Sequence, residues 1–156
     1  MTTRSAIRFL FDEILHGTAK GNDGTYFVQG GEALLATCAG LTAKQASRSP
    51  APGVSSIAAH LGHSIYYLEL ALRSFLGEPV EGDWEASWAT QVVTVREWAD
   101  LQGQLLGLAR RFHLAMEELP IEDETAVTDA IANVGHLAYH LGAIRVLVSW
   151  LQSACP

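Results

Sequence analysis

Six histidines occur in the 156-residue chain, and four of them fall in two short apolar stretches. The first, SSIAAHLGHSIYYLE, carries His60 and His63; the second, NVGHLAYHLGAIR, carries His136 and His140. Neutral imidazole suits zinc, nickel, copper or iron. Residues four apart on a helix project from one face with Cβ atoms about 5–6 Å apart, so His136 and His140 are spaced to share one ion. If the two stretches are neighbouring helices, one histidine of the former and two of the latter form a three-nitrogen face. Its remaining coordination positions stay open to water or substrate, which is the catalytic pattern, because a structural zinc site fills all four with protein ligands. Imidazoles hydrogen-bonded inside a helical core are the plain alternative. Between His60 and His63 the residues alone do not choose: whichever is not a ligand sits one turn away, as a partner or proton carrier beside the metal.

The elements that must position these groups follow from apolar period. Ile7, Leu10, Phe11 and Ile14 repeat at i, i+3, i+4, i+7 and predict a helix over roughly residues 3 to 16. GTAKGNDGTYFVQGG then breaks it with five glycines. EALLATCAG reads as helical, and Thr42 with Gln45 forms a capping-box pattern for a further short turn before SPAPG. Ser55 and Ser56 are cap candidates for a second main helix with Ile57, Leu61, Ile65, Leu68, Leu72 and Leu76 on one stripe, stopped by Gly77 and Pro79. GEPVEGDWEASWA is a polar, turn-rich connection apart from Trp84 and Trp88, long enough to cross an end of a bundle. A third main helix carries Val95, Trp98, Leu105, Leu108, Phe112, Ala115 and Leu119 and ends at Pro120. The fourth runs from about Thr125 to Gln152, with Val127, Ile131, Val134, Ala138, Leu141, Ile144, Val148 and Leu151 as its seam. Gly135 and Gly142 in that helix are expected where a neighbouring helix or ligand must come close. Four long helices without a strand predict an all-α bundle.

Length and composition agree with one domain spanning residues 1–156. Hydrophobic residues make up 49% and charged ones 17%, with mean hydropathy +0.15, so long segments are expected to be buried on more than one side. The net charge of −7 and scattered basic residues, apart from Arg110 beside Arg111, argue against a surface that tracks nucleic-acid phosphates. Cys38 and Cys155 lie far apart without finger or CxxC spacing and read as bystanders in a reducing compartment. Asp12 and Glu13 interrupt the first apolar stripe where a signal peptide would be uniformly apolar, and no run of about 18 uncharged apolar residues occurs. A cytoplasmic protein that neither enters a membrane nor binds nucleic acid is therefore expected. Solenoid repeats, phosphate loops, GxSxG and HExxH motifs are missing, which removes the commonest nucleotide, serine-hydrolase and zinc-peptidase readings.

SSIAAHLGH followed some seventy residues later by GHLAYHLGAIR resembles the DinB-like (DinB/YfiT-like) superfamily of metal-dependent enzymes. LTAKQASRSPAPG, the DWEASW linker and the last helix accompany these motifs more loosely. The resemblance implies a four-helix bundle with a long crossover between helices 2 and 3, and three histidines holding a divalent metal, commonly zinc or nickel. By position, the helix-2 ligand falls seven residues after Ser56, on His63, and the last-helix pair falls on His136 and His140. Ala143 stands where many members have glutamine, so that polar contact is absent here. The resemblance also implies a small-molecule substrate, a low-molecular-weight thiol in some relatives, and a homodimer. The expected activity is thiol-dependent S-transfer or hydrolysis; the alternative is a non-catalytic metal-binding or stress-associated bundle.

The remaining residues take weaker readings. His60 and Asp129 are the candidate acid–base groups, and Asp129 and Asn133, seven and three residues before His136, are candidate orienters of an imidazole or a water. Tyr67 and Tyr139 line either a pocket or the core. Trp84 and Trp88 either cap the open end over the metal or anchor the crossover, while His16 and His113 are expected at the surface.

Overall fold

The computed structural model describes residues 1–18, 25–29 and 32–153. Cys155 and four of the five glycines after the first helix lie outside them. The described residues are all-helical, with seven helices: α1 (Thr3–His16), α2 (Leu34–Ala39), α3 (Ala43–Ala46), α4 (Ile57–Phe75), α5 (Trp84–Ser87), α6 (Val95–Glu118) and α7 (Glu124–Ser153). The four long ones, α1, α4, α6 and α7, pack in a ring: α4 lies against α7 and α6, and α1 closes the ring against the same two. Phe11 of α1 stacks on Phe112 of α6 at 4.0 Å in its centre.

Local chemistry sets the ends of these helices. Thr42 and Gln45 close a capping box on α3, as their spacing predicts, and Thr94 with Glu97 does the same on α6. Ser56, the second of the two candidates, caps α4 by accepting from the Ala59 N–H at 3.1 Å. At the other end of α4, Gly77 takes φ +76°, and the N–H groups of Gly77 and Glu78 return to the carbonyls of Ser74 and Arg73. This is a Schellman closure, and it leaves Leu76 exposed rather than on the buried stripe. Asp123 caps α7 through the N–H groups of Thr125 and Ala126.

The long connection between α4 and α6, which contains α5, is fastened to α4 along its length. Ser56 donates from its N–H to Gln91 Oε1 and from Oγ to the Gln91 carbonyl, at 3.1 and 2.6 Å. The Asp83 N–H donates to Tyr66 Oη at 2.8 Å. Between these points a Cβ at Gly62 would stand 3.2 Å from Thr90 Cβ, so the absence of a side chain there lets the connection lie close to α4.

Helix α7 departs from its expected seam. Ile131 is exposed, while Ala130, Leu137 and Leu147 are buried instead. The helix is apolar nearly all round, so period alone gave no contrast from which to choose its inner face. Val95, at the first position of α6, is likewise exposed. By length and composition α7 would also be apolar enough to cross a membrane, but Val134, Leu141, Ile144 and Leu151 of this helix belong to the common core.

The expectation of close approach at Gly135 and Gly142 is not met among the described residues, because a Cβ at either position meets none of them within 4 Å. With helical backbone and open space, Gly135→Ala and Gly142→Ala should each stabilise the protein by about 0.5–1 kcal/mol. Urea unfolding of each variant checks this; a loss of stability would reveal a neighbour of α7 from outside the described residues.

Candidate metal centre

The contact between α4 and α7 brings the two histidine stretches together, so the four imidazoles that are distant in sequence form one cluster. His63 and His140 are buried and His136 is half-buried, and the three can each offer one nitrogen such that all three lie within 4.8 Å of one another. His136 and His140 face each other through their Nε2 atoms, 3.0 Å apart. Bonds of about 2.1 Å from those nitrogens to a shared ion would meet at an angle of about 90°, so the pair is spaced for one ion.

Protonation favours the same use. Burial pushes the His140 imidazole down to about 3 and that of His63 to about 4, with the neighbouring imidazoles adding to the effect in both. Burial lowers His60 and His136 too. At neutral pH the cluster therefore offers lone pairs rather than positive charge, which is the state a metal requires of its ligands. No carboxylate joins this set among the described residues. A three-imidazole donor set of this kind fits a divalent transition-metal ion.

His60 is placed beside the trio. Its Nδ1 lies 2.9 Å from His140 Nδ1, on the opposite side of that ring from His136. His140 thus has an imidazole at each nitrogen. When Nε2 serves as a ligand, Nδ1 holds the proton and donates it to His60, the arrangement in which a partner fixes the tautomer of a ligating histidine.

The crossover forms the roof. Trp88 stacks on the His63 ring at 3.9 Å and lies 5.3 Å from His60 and 5.7 Å from His140, while Trp84 meets His63 edge-on at 5.2 Å. Both tryptophans therefore stand over the histidines, and their segment is also fastened to α4. Tyr67 belongs to the site as well, with its ring 4.8 Å from His63 and 5.4 Å from His136. Tyr139 is exposed, with its ring against His140.

Three expectations are corrected. Asp129 lies elsewhere, lining a cavity of about 350 Å³ with Phe75, Leu119 and Thr125, because the seven residues that give it the face of His136 also move it about 10 Å along the helix. Asn133 donates to the Asp129 carbonyl at 2.8 Å, so it bonds to its own helix rather than to an imidazole. His113 is not a free surface residue: its Nε2 lies 2.5 Å from Asp12 Oδ1 and its ring packs against Phe11. His16 is exposed as expected. Cys38 is a free, buried thiol that burial pushes up to about 12, which makes it unreactive and fits its reading as a bystander.

One residue at the site is not among the candidates read from the sequence. Ser87, at the end of α5, is buried with its Oγ 2.9 Å from His63 Nδ1. It lies within the DWEASW linker, but nothing local marks the serine itself, and only the tertiary fold brings it to a histidine 24 residues earlier.

No curated protein and no solved structure matches the chain. The family model described as DinB superfamily matches residues 26–144, a span that takes in α2 to α6 and the part of α7 that carries both histidines. An all-helical chain with a three-histidine cluster between α4 and α7 fits a metal-binding protein, and by this match the chain belongs to the DinB superfamily.

Proposed function

We propose that this protein is a divalent-metal-dependent enzyme that acts on a small molecule, as a thiol-dependent S-transferase or as a hydrolase. The observation that carries the reading is the convergence of ligand nitrogens from His63, His136 and His140 within 4.8 Å, with no fourth protein ligand in that group among the described residues. A bound zinc or nickel ion supplies Lewis acidity, lowering the pKa of a water or a low-molecular-weight thiol brought against it. His63, His136 and His140 contribute the lone pairs. His60, held against His140 Nδ1, is the group nearest the ligands that can take or return a proton. Trp84, Trp88 and Tyr67 shield the cluster from bulk water and leave an aromatic surround for the organic part of a substrate.

The position of Asp129 favours a second reading, a non-catalytic metal-binding or stress-associated bundle. With that carboxylate in another cavity, His60 is left as the acid–base candidate. A cytoplasmic setting is part of the proposal and is supported by the free, buried Cys38. So is a homodimer, supported by the exposure of Val95, Leu114, Tyr139 and Val146 on a strongly apolar chain.

Metal binding is expected to appear first as stabilisation. An ion present at 100 times its Kd adds about 2.7 kcal/mol, so zinc or nickel should raise Tm by about 5–11 °C in untagged, chelator-treated protein. The rise should grow with metal concentration, and magnesium should not reproduce it. Loaded protein is then screened for thiol transfer and for ester, amide and C–S hydrolysis. An unchanged Tm rejects both metal readings; a risen Tm with no turnover favours the non-catalytic one.

A further inference from the structure

The geometry assigns Ser87 a positioning role: it fixes the proton on His63 Nδ1 and so presents Nε2 as the ligand atom, tying the crossover to the metal centre. This rests on the reading of His63 as a ligand. Hydrogen count sets the direction of the Ser87–His63 contact. A serine hydroxyl has one proton to give. Ser87 Oγ gives it to the Trp84 carbonyl at 2.7 Å, and a carbonyl can only accept. The 2.9 Å contact between Ser87 Oγ and His63 Nδ1 must therefore be donated by the ring. His63, neutral in its buried place, then carries its proton on Nδ1 and a lone pair on Nε2.

The arrangement is held from both sides. Asp83 Oδ1 accepts from the Ala86 N–H at 2.9 Å and fixes the turn that delivers Ser87, while Trp88, the next residue, stacks on the His63 ring and fixes its plane. His140 is oriented from its own flank by His60, so the two buried ligands are set by different devices. One belongs to α4 and the other to the crossover. The stacked tryptophan constrains tilt but not tautomer, and that task falls to the hydroxyl.

The test reads the proton directly. In metal-free wild-type protein at pH 7, long-range ¹H–¹⁵N correlation spectra should show the His63 proton on Nδ1. In Ser87→Ala the His63 signals should move to the Nε2–H form or a mixture, and Ser87→Thr should keep the wild-type pattern. Zinc affinity, measured by chelator competition, should fall roughly 10- to 100-fold in Ser87→Ala and recover in Ser87→Thr. A proton found on Nε2 in wild-type protein, or a tautomer and affinity both indifferent to Ser87→Ala, overturns the assignment and leaves the three-histidine site standing. Failure of wild-type protein to take up zinc, with the Nδ1 proton in place, overturns the site and leaves the positioning of His63 intact. If Ser87→Ala does not fold, the wild-type tautomer alone decides.

Discussion

His140→Ala is expected to abolish stoichiometric metal binding, with a loss of affinity beyond the 10- to 100-fold that removal of an outer partner costs. His140 is fully buried, its Nε2 faces the His136 Nε2 at 3.0 Å, and its Nδ1 faces His60. Removing it deletes a ligand and also the group through which His60 reaches the centre. Metal content by mass spectrometry on untagged protein should fall from near one ion per chain to background, and His63→Ala and His136→Ala should do the same. His60→Ala should instead keep the stoichiometry and lower the affinity. Should metal disappear with His60 and survive the loss of His63, the ligand from α4 would have to be reassigned.

Acidification of the metal-free protein should weaken it well before the carboxylates titrate. His63 and His140 are held down to about 4 and about 3 in the folded chain, below the ordinary value of 6.5 that they regain on unfolding. At pH 7 both states are mostly neutral and the penalty is small. As pH falls through 6.5 the unfolded chain takes up protons that the folded chain refuses, so stability declines until the folded imidazoles themselves charge near pH 4 and 3. Between pH 7 and pH 5 each such histidine removes about 1–2 kcal/mol, allowing for screening, and the pair should lower Tm by roughly 4 °C or more. Thermal melts in the presence of chelator at half-unit pH steps would show it. A Tm that stays level from pH 7 to pH 5 would mean that the cluster is wetter than its burial indicates.

What could be read in advance was local. The starts of α3 and α4 were legible because Thr42, Gln45 and Ser56 act within a turn of themselves, and the histidine pair on α7 was legible because four residues along a helix is itself a geometry. The inner face of α7 was not, since apolar residues surround it and Leu137 and Leu147 look no more core-like than Ile131. Tertiary partners were also out of reach. The His113–Asp12 contact spans 101 residues and the His60–His140 contact 80, distances over which no pattern in a single chain points from one residue to the other. The choice between His60 and His63 belonged to the same class. Both lie in α4, one turn apart, and their separate places emerge only when α7 and the crossover are packed around them.

The crossover is bonded to α4 near both ends, by Asp83 on Tyr66 and by Gln91 on Ser56, with Thr90 seated against Gly62 between them. A strap secured in this way cannot swing aside without breaking several contacts together, an opening of the microsecond-to-second kind. Trp84 is the exception: the residue is 64% exposed and its ring covers His63 edge-on. The cheap motion beside His63 is rotation of this one indole, on the picosecond-to-nanosecond scale of exposed side chains. A small molecule that enters beside Trp84 should therefore meet only a swivelling side chain, arriving and leaving fast while the frame keeps its shape through each visit.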